Sequence, residues 1–195
     1  INKASINQRD NNKCYLGNSY TNEFIEDKLI KKNKLMKNYS FKKLDDADLY
    51  NEVANRISKN QVIGWFKGRC EWGPRALGNR SILADARNPE IKDILNKKIK
   101  LRESFRPFAP AVLEEFANIY FDINYPSPFM LNVVNGRKIA KESVPAVVHV
   151  DNTCRVQTVS KSDNYHFYNL ISEFNKLTGV PIILNTSFNE NEPIV

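Results

Sequence analysis

Apolar residues recur every three to four positions in three stretches of the chain, and this period predicts helices. In the first stretch Leu49, Val53 and Ile57 share one helix face. Acidic or amide side chains that can cap a first turn precede each stretch. The predicted helices follow Asp45 or Asp46, Asn88-Pro89, and Asp163, and the third ends at Gly179.

Compact apolar runs between these helices predict β-strands. Gln61–Phe66 is typical of a buried strand. Further strands are predicted at Ala111–Leu113, Phe129–Val134, Val144–Val150, Arg155–Val159 and Pro181–Leu184. Because several neighbouring strands lack a helix between them, the sequence predicts the α/β class, with a twisted mixed sheet and flanking helices.

The first 40 residues differ from the rest of the chain. They are rich in Asn and Lys and lack a clear apolar period, apart from a short predicted helix near Glu23–Leu29. We interpret residues 1–40 as a linker or interdomain segment and residues 41–195 as one folded unit. The chain begins without methionine, so we expect it to be part of a longer protein.

Composition narrows the environment in which the protein is expected to work. No apolar run approaches the eighteen or so residues of a membrane span, and the N-terminus lacks the apolar stretch of a signal peptide. The three cysteines, Cys14, Cys70 and Cys154, suggest neither a disulfide framework nor a zinc site. We therefore expect a cytoplasmic protein with free thiols and no membrane partner.

Positive charge is concentrated in the middle of the chain. The net charge is +7, and residues 61–110 carry eleven basic against five acidic side chains. Such a surface suits nucleic acid or a nucleotide, or serves only solubility.

The most unusual motif, "GRCEWGPRALGNRS" at residues 68–81, lies in this basic region. Its three glycines allow backbone N–H groups to converge, and Arg75 and Arg80 offer planar donor groups for phosphate oxygens. The motif therefore favours anion binding. The alternative is that its arginines tie loops together through carboxylates such as Glu71 and Asp85.

A second cationic group is Lys100-Leu101-Arg102, with Arg106 shortly after it. If the preceding helix has ended by about Lys98, an extended chain directs Lys100 and Arg102 to the same side, where both can hold one ligand. If the helix continues, the two side chains diverge and form a solvated surface. Pro107 makes the extended conformation plausible.

Two polar segments follow predicted strands near the end of the chain. His149 and Asp151 lie close to Arg155, and Ser187 and Asn189 follow an apolar strand, where open α/β sheets often bind ligands. A hydrolytic triad is improbable because Ser187 has no evident histidine partner. No third ligand supports a metal site, and a lone histidine such as His149 is more often structural.

Taken together, these motifs resemble a known family. The segments "KGRCEWGPRALGNRSILADARNPEIKDILNKKIKLRESFRPFAPAV", "SPFML", "HVDNTCRVQTV" and "GVPIILNTSFNENEPIV" are similar to the C-terminal domain of the NodU/CmcH-type O-carbamoyltransferases. The resemblance covers about residues 15–195.

This resemblance implies a YrdC-like domain that makes carbamoyl adenylate from ATP and carbamoyl phosphate, with Mg²⁺ as the expected cofactor. It also implies an N-terminal actin-like domain, absent from this chain, which holds iron or another divalent metal and transfers the carbamoyl group to a hydroxyl. Lys100-Leu101-Arg102 and Ser187-Phe188-Asn189 match the family's Lys-x-Arg and Ser-x-Asn motifs.

The resemblance also implies roles for individual residues. Lys100 and Arg102 are the expected catalytic residues. The residues expected to bind nucleotide are Arg75, Lys100, Arg106, Arg155, Asn185, Ser187 and Asn189. Two other functions stay open: an RNA-binding YrdC-like module, and a regulatory domain that binds nucleotide without turnover.

Overall fold

The computed structural model describes residues 14–35 and 40–190, with the side chains of residues 14–31 and 40–190. Its helices are α1 (Asn22–Leu35), α2 (Asp46–Ser58), α3 (Ile91–Ile94), α4 (Ala117–Tyr120), α5 (Lys138–Ser143) and α6 (Tyr165–Thr178). Its strands are β1 (Ile63–Phe66), β2 (Arg80–Ala84), β3 (Ala109–Leu113), β4 (Val133–Asn135), β5 (Thr153–Arg155), β6 (Gln157–Val159) and β7 (Ile182–Ser187).

The central sheet has five strands in the order β1-β2-β7-β3-β6. β3 and β6 are parallel, and the other neighbouring pairs are antiparallel. Strands β4 and β5 form a separate antiparallel pair. The predicted α/β class with a mixed sheet and flanking helices is confirmed.

Two apolar cores form because successive side chains of a strand point to opposite faces of the sheet. Ile183 packs with α2 and α6 in one core, whereas its neighbours Ile182 and Leu184 pack with α3, α4 and α5 in the other. The sheet is thus covered on both faces, which fixes the positions of the loops at its edges.

Capping residues set the ends of α2 and α6, the two longest helices that pack on the sheet. Asp45 caps α2 by accepting the N–H of Asp48, as predicted. The cap of α6 is Asn164, which accepts the N–H of Phe167, so the prediction of Asp163 was wrong by one residue. Gly179 ends α6 in the left-handed conformation, as predicted.

Three strand predictions were wrong in whole or in part. Val144–Val150 is no strand, because Pro145 opens a 3₁₀ turn there. The first four residues of Phe129–Val134 form no strand, and β4 begins only at Val133. The predicted strand Arg155–Val159 is divided at Val156 between β5 and β6, which belong to different sheets.

Part of the segment assigned to the linker contacts the sheet domain. Gly17 donates its N–H to the Cys70 carbonyl, and Tyr15 donates its hydroxyl to the Leu77 carbonyl. The predicted helix near Glu23–Leu29 is present as the longer α1. The remaining linker residues, 1–13 and 36–39, lie outside the described chain, and the domain boundary at residue 41 stays a prediction.

Within residues 14–35 and 40–190, no helix combines the length and the apolar character needed to cross a membrane.

Candidate functional site

The arginine-rich motif forms the loop between β1 and β2, and this loop is organised by its own carboxylate. Glu71 Oε1 accepts the backbone N–H groups of Leu77 and Asn79 at 2.8 Å and that of Arg80 at 3.2 Å. The converging N–H groups that could have held an outside anion are therefore occupied by Glu71.

Two arginines of the motif hold the chain together. Arg80 is 5% exposed, and its guanidinium donates to four carbonyl oxygens, those of Asn18, Lys67, Gly68 and Asn79. All four distances lie between 2.9 and 3.3 Å. These acceptors come from both the motif and the N-terminal segment, so Arg80 joins the two.

Arg69 has a similar role on the outer side of the loop, where it donates to the carbonyls of Leu16 and Gly17. The expected carboxylate partners are occupied elsewhere, since Asp85 receives the guanidinium of Arg87. Arginines of the motif therefore do connect loops, but their hydrogen bonds are accepted by backbone carbonyls and not by carboxylates.

Arg75 has a different environment. It lies at the wall of two adjoining cavities, together with Arg155. We call the smaller one, lined by Arg75, Arg102 and Arg155, the arginine cavity; its volume is about 170 Å³. The larger cavity, about 440 Å³, has an aromatic and aliphatic wall that includes Trp72 and Phe129.

The arginine cavity is strongly cationic. Partial burial and the nearby charge of Arg155 lower the pKa of Arg75. Burial and the charge of Arg106 likewise lower the pKa of Arg102. Among the described residues that line this cavity, none is a carboxylate. Cations held together without a compensating acid favour an anionic ligand.

The Lys-x-Arg motif does not form the extended segment that the sequence favoured. A π-helical turn, Leu95–Ile99, extends α3 to the residue before Lys100, and Leu101 then has a left-handed φ of 46°. Lys100 and Arg102 consequently diverge. Arg102 donates from Nε to Asn96 Oδ1 and lies over the Phe108 ring at the cavity wall.

Lys100 reaches the other predicted motif instead. Its Nζ lies 3.1 Å from Ser187 Oγ and 3.0 Å from Asn189 Oδ1, and it also donates to the carbonyls of these two residues. The side chain is 1% exposed. The Lys-x-Arg and Ser-x-Asn motifs, 87 residues apart in the chain, therefore meet through Lys100.

The structure thus gathers most of the predicted site. The predicted residues that line the arginine cavity are Arg75, Arg102, Arg155, Asn185 and Ser187. Lys100 and Asn189 lie behind Ser187 and contact it. Arg106 stands apart, half-exposed and paired with Glu103 at 2.8 Å.

His149, which the sequence analysis interpreted as more often structural, also lines the arginine cavity. Its Nδ1 lies 3.1 Å from Thr153 Oγ1. Burial lowers the pKa of His149, and the charges of Lys92 and Arg155 act in the same direction while Asp151 opposes them. The only signal in the sequence was that His149 lies shortly before the cavity residue Arg155.

Comparison with known proteins identifies the family. Residues 54–195 match the family described as Carbamoyltransferase C-terminus. The chain is 52% identical to nodulation protein NolNO of Sinorhizobium fredii over 76% of this chain and 22% of that protein. It is 46% identical to nodulation protein U of Rhizobium tropici, over 71% of this chain and 24% of the relative.

A longer match, 43% identical, is to the uncharacterized protein sll1178 of Synechocystis, and it covers 93% of this chain and 32% of the relative. The chain therefore spans about a third or less of the length of these curated relatives. By its sequence, the chain belongs to the carbamoyltransferase C-terminus family.

Proposed function

We propose that this domain binds ATP in the arginine cavity and forms carbamoyl adenylate from ATP and carbamoyl phosphate. The observation that carries the proposal is the convergence of Arg75, Arg102 and Arg155 on one cavity whose described lining has no carboxylate. Guanidinium groups are planar donors that match the oxygens of phosphate, so the triphosphate is the part of ATP that suits this cavity.

The proposed reaction is a displacement at the α-phosphate of ATP. Carbamoyl phosphate and water give carbamate and inorganic phosphate. A carbamate oxygen then forms a bond to the α-phosphorus, and the bond between that phosphorus and the bridging oxygen breaks. The electron pair leaves with pyrophosphate, and carbamoyl adenylate remains.

The chain contributes positioning and charge to this reaction. Arg75 and Arg155 neutralise the charge that grows on the phosphates, and Arg102 holds further phosphate oxygens in the same cavity. Lys100 acts through Ser187 and Asn189, whose oxygens it fixes at the end of β7.

Mg²⁺ would enter this site with ATP. The described lining offers it the hydroxyls of Thr186 and Ser187 but no carboxylate, so the nucleotide phosphates would supply most of its oxygens. When bound, Mg²⁺ would add positive charge beside the leaving pyrophosphate.

Transfer to the acceptor belongs, in this proposal, to another part of the protein. The matched region makes up 22–32% of the length of these curated relatives, which leaves room for an N-terminal actin-like domain that holds its own divalent metal. Carbamoyl adenylate would pass from this domain to that one, which would catalyse attack by an acceptor hydroxyl.

A calorimetric titration distinguishes this proposal from its rivals. We expect ATP to bind the chain, and we expect duplex RNA to bind weakly or not at all at two salt concentrations. Tight RNA binding with a steep salt dependence and no ATP binding would instead indicate a nucleic-acid module. ATP binding without any carbamoyl-phosphate-dependent exchange of pyrophosphate, even in the full-length protein, would indicate a regulatory domain.

A further inference from the structure

Two residues that line the arginine cavity each carry a hydrogen-bond acceptor without a partner. His149 Nε2 and Asn185 Oδ1 are buried and form no hydrogen bond with any part of the chain that the structure describes. A buried acceptor without a donor costs free energy, so such atoms persist where a ligand or water completes them. Both residues line the cavity together with three arginines, whose guanidinium groups donate hydrogen bonds and cannot accept them.

The protonation of His149 follows from its neighbour. The Thr153 hydroxyl donates its hydrogen to Asp151 Oδ1 at 2.7 Å, so only its lone pairs face His149 Nδ1 at 3.1 Å. Nδ1 must therefore carry the ring hydrogen, and Nε2 of the neutral ring is an acceptor. Partial burial keeps the ring neutral near pH 7 by lowering its pKa.

The orientation of Asn185 is fixed in the same way. Its Nδ2 donates to the Ala76 carbonyl at 3.0 Å and to Gln157 Oε1 at 2.9 Å. Gln157 in turn uses its Nε2 to donate to the Leu77 carbonyl, so its oxygen must be the acceptor. A flipped Asn185 amide would lose both bonds, and Oδ1 is therefore the atom left for a ligand.

A ligand that completes this cavity needs anionic oxygens for the arginines and N–H or O–H donors for the two acceptors. A carbamoyl group joined to phosphate has both within a few bonds, because its amide nitrogen carries two hydrogens. The adenosine of ATP also has donors, but the larger adjoining cavity, with Trp72 and Phe129 in its wall, suits the nucleoside better.

We propose that His149 Nε2 and Asn185 Oδ1 accept the two N–H groups of the carbamoyl amide and thereby select carbamoyl over acyl groups that lack N–H. This inference rests on the proposed function and names the part of the site that recognises the carbamoyl group. His149 and Asn185 are positioning and specificity residues in this account. A site that accepts a hydrogen bond from a substrate N–H group rejects analogues that lack this group, because its buried acceptor is then left without a donor.

Nuclear magnetic resonance of the ring nitrogens tests the inference directly. The chain has two histidines, His149 and His166, so both can be resolved after labelling with ¹⁵N-histidine. We expect carbamoyl phosphate to shift the His149 Nε2 resonance toward lower frequency, as acceptance of a hydrogen bond requires, and to leave His166 unchanged. Acetyl phosphate, which carries a methyl group in place of the amino group, is the matched probe.

Each outcome decides the question. An unchanged His149 resonance at saturating carbamoyl phosphate, with and without ATP, overturns the inference, as does an equal shift with acetyl phosphate. A full shift with ATP alone assigns the donor to the nucleoside and also overturns it. If ATP does not bind but carbamoyl phosphate still shifts His149, the inference stands and the proposed ATP site fails.

Variants give an independent readout. We expect wild-type protein to prefer carbamoyl phosphate over acetyl phosphate by at least about tenfold in affinity, and His149→Phe to lose most of this preference. His149→Gln can place an amide oxygen near the position of Nε2 and should restore part of it. A preference that survives in both His149→Phe and Asn185→Leu would contradict the inference.

Discussion

Arg80 and Arg75 lie five residues apart in one loop, yet their environments differ completely. Arg80 is buried and donates to four backbone carbonyls, so the chain itself satisfies its charge. Arg75 is exposed at the cavity wall, close to the cation Arg155. The hydrogen bonds of Arg80 stabilise the fold. The charges of Arg75 and Arg155 repel each other, and an anionic ligand between them would remove this repulsion.

The same contrast explains why arginine-rich sequence alone cannot identify a ligand site. Arg69 and Arg80 belong to the same motif as Arg75, but their acceptors are carbonyls of residues 16–18 and of the motif itself. An arginine that the fold needs and one that a ligand needs differ in their acceptors, which sequence spacing does not reveal.

The largest effect is expected for Arg80→Met, which keeps an unbranched apolar side chain but removes the guanidinium group and all its donors. The carbonyls of Lys67 and Gly68 lose a charged donor, and the contact with the Phe66 ring changes. Since hydrogen bonds to charged groups contribute about 1.5–3 kcal/mol, we expect the free energy of unfolding to fall by about 3 kcal/mol or more. Urea denaturation measures it.

Arg75→Met is the control for this comparison. Its side chain is exposed and has no hydrogen bond within residues 14–35 and 40–190, so the free energy of unfolding should change by less than about 0.5 kcal/mol. Similar destabilisation by both substitutions would contradict the division of the motif into structural and ligand-facing arginines.

Lys100→Met should have the next largest effect, and it should appear in both stability and binding. Lys100 fixes Ser187 and Asn189, so its loss should lower the free energy of unfolding by about 2 kcal/mol and also weaken ATP binding. Lys97→Met is the control, because Lys97 is exposed and, within the described residues, forms only a surface pair with Asp93. A binding loss with unchanged stability would show instead that Lys100 leaves Ser187 to contact phosphate directly.

Arg155→Ala should act on binding with little change in stability. One charge-assisted contact contributes about 1.5–3 kcal/mol, which corresponds to a roughly ten- to hundredfold weaker affinity for ATP. Arg106→Ala is the informative comparison, since Arg106 pairs with Glu103 outside the cavity and should leave the affinity close to that of the wild type. If calorimetry showed a larger loss of ATP affinity in Arg106→Ala than in Arg155→Ala, the nucleotide site would lie near Arg106 instead.

The smallest effect is expected from pH. Burial lowers the pKa values of His149 and His166 below their ordinary value of 6.5 in the folded protein. The unfolded chain then binds more protons between the folded values and 6.5, so the stability from these groups is present above 6.5 and lost as the pH falls below it. Urea denaturation at pH 7.5 and pH 5.5 (roughly one unit to either side) should show a modest decrease, reduced in His166→Gln.

Features set by local sequence were predictable. The caps and apolar faces of α2 and α6 depend on residues within a few positions of each other, and only the exact cap of α6 was misplaced, from Asn164 to Asp163. The apolar run Val144–Val150 was wrongly predicted as a strand. A short run of apolar residues is compatible with a buried strand and also with the 3₁₀ turn that Pro145 opens.

Features set by distant contacts were not predictable. Glu71 occupies the N–H groups of its own loop, and Lys100 meets Ser187 across 87 residues of chain. The family resemblance named residues that the fold brings to one cavity, including Arg75 and Arg155, but it could not separate Arg106, which lies outside the cavity, from the rest. That distinction needs the positions of acceptors in space.

The most direct test of the adenylation account is the exchange of radiolabelled pyrophosphate into ATP. We expect label to enter ATP only when carbamoyl phosphate is present, because reversal of the reaction requires carbamoyl adenylate. Exchange should be lost or strongly reduced in Arg155→Ala and retained in Arg69→Ala, whose side chain donates to the carbonyls of Leu16 and Gly17. Absence of carbamoyl-phosphate-dependent exchange in the full-length protein would contradict the account.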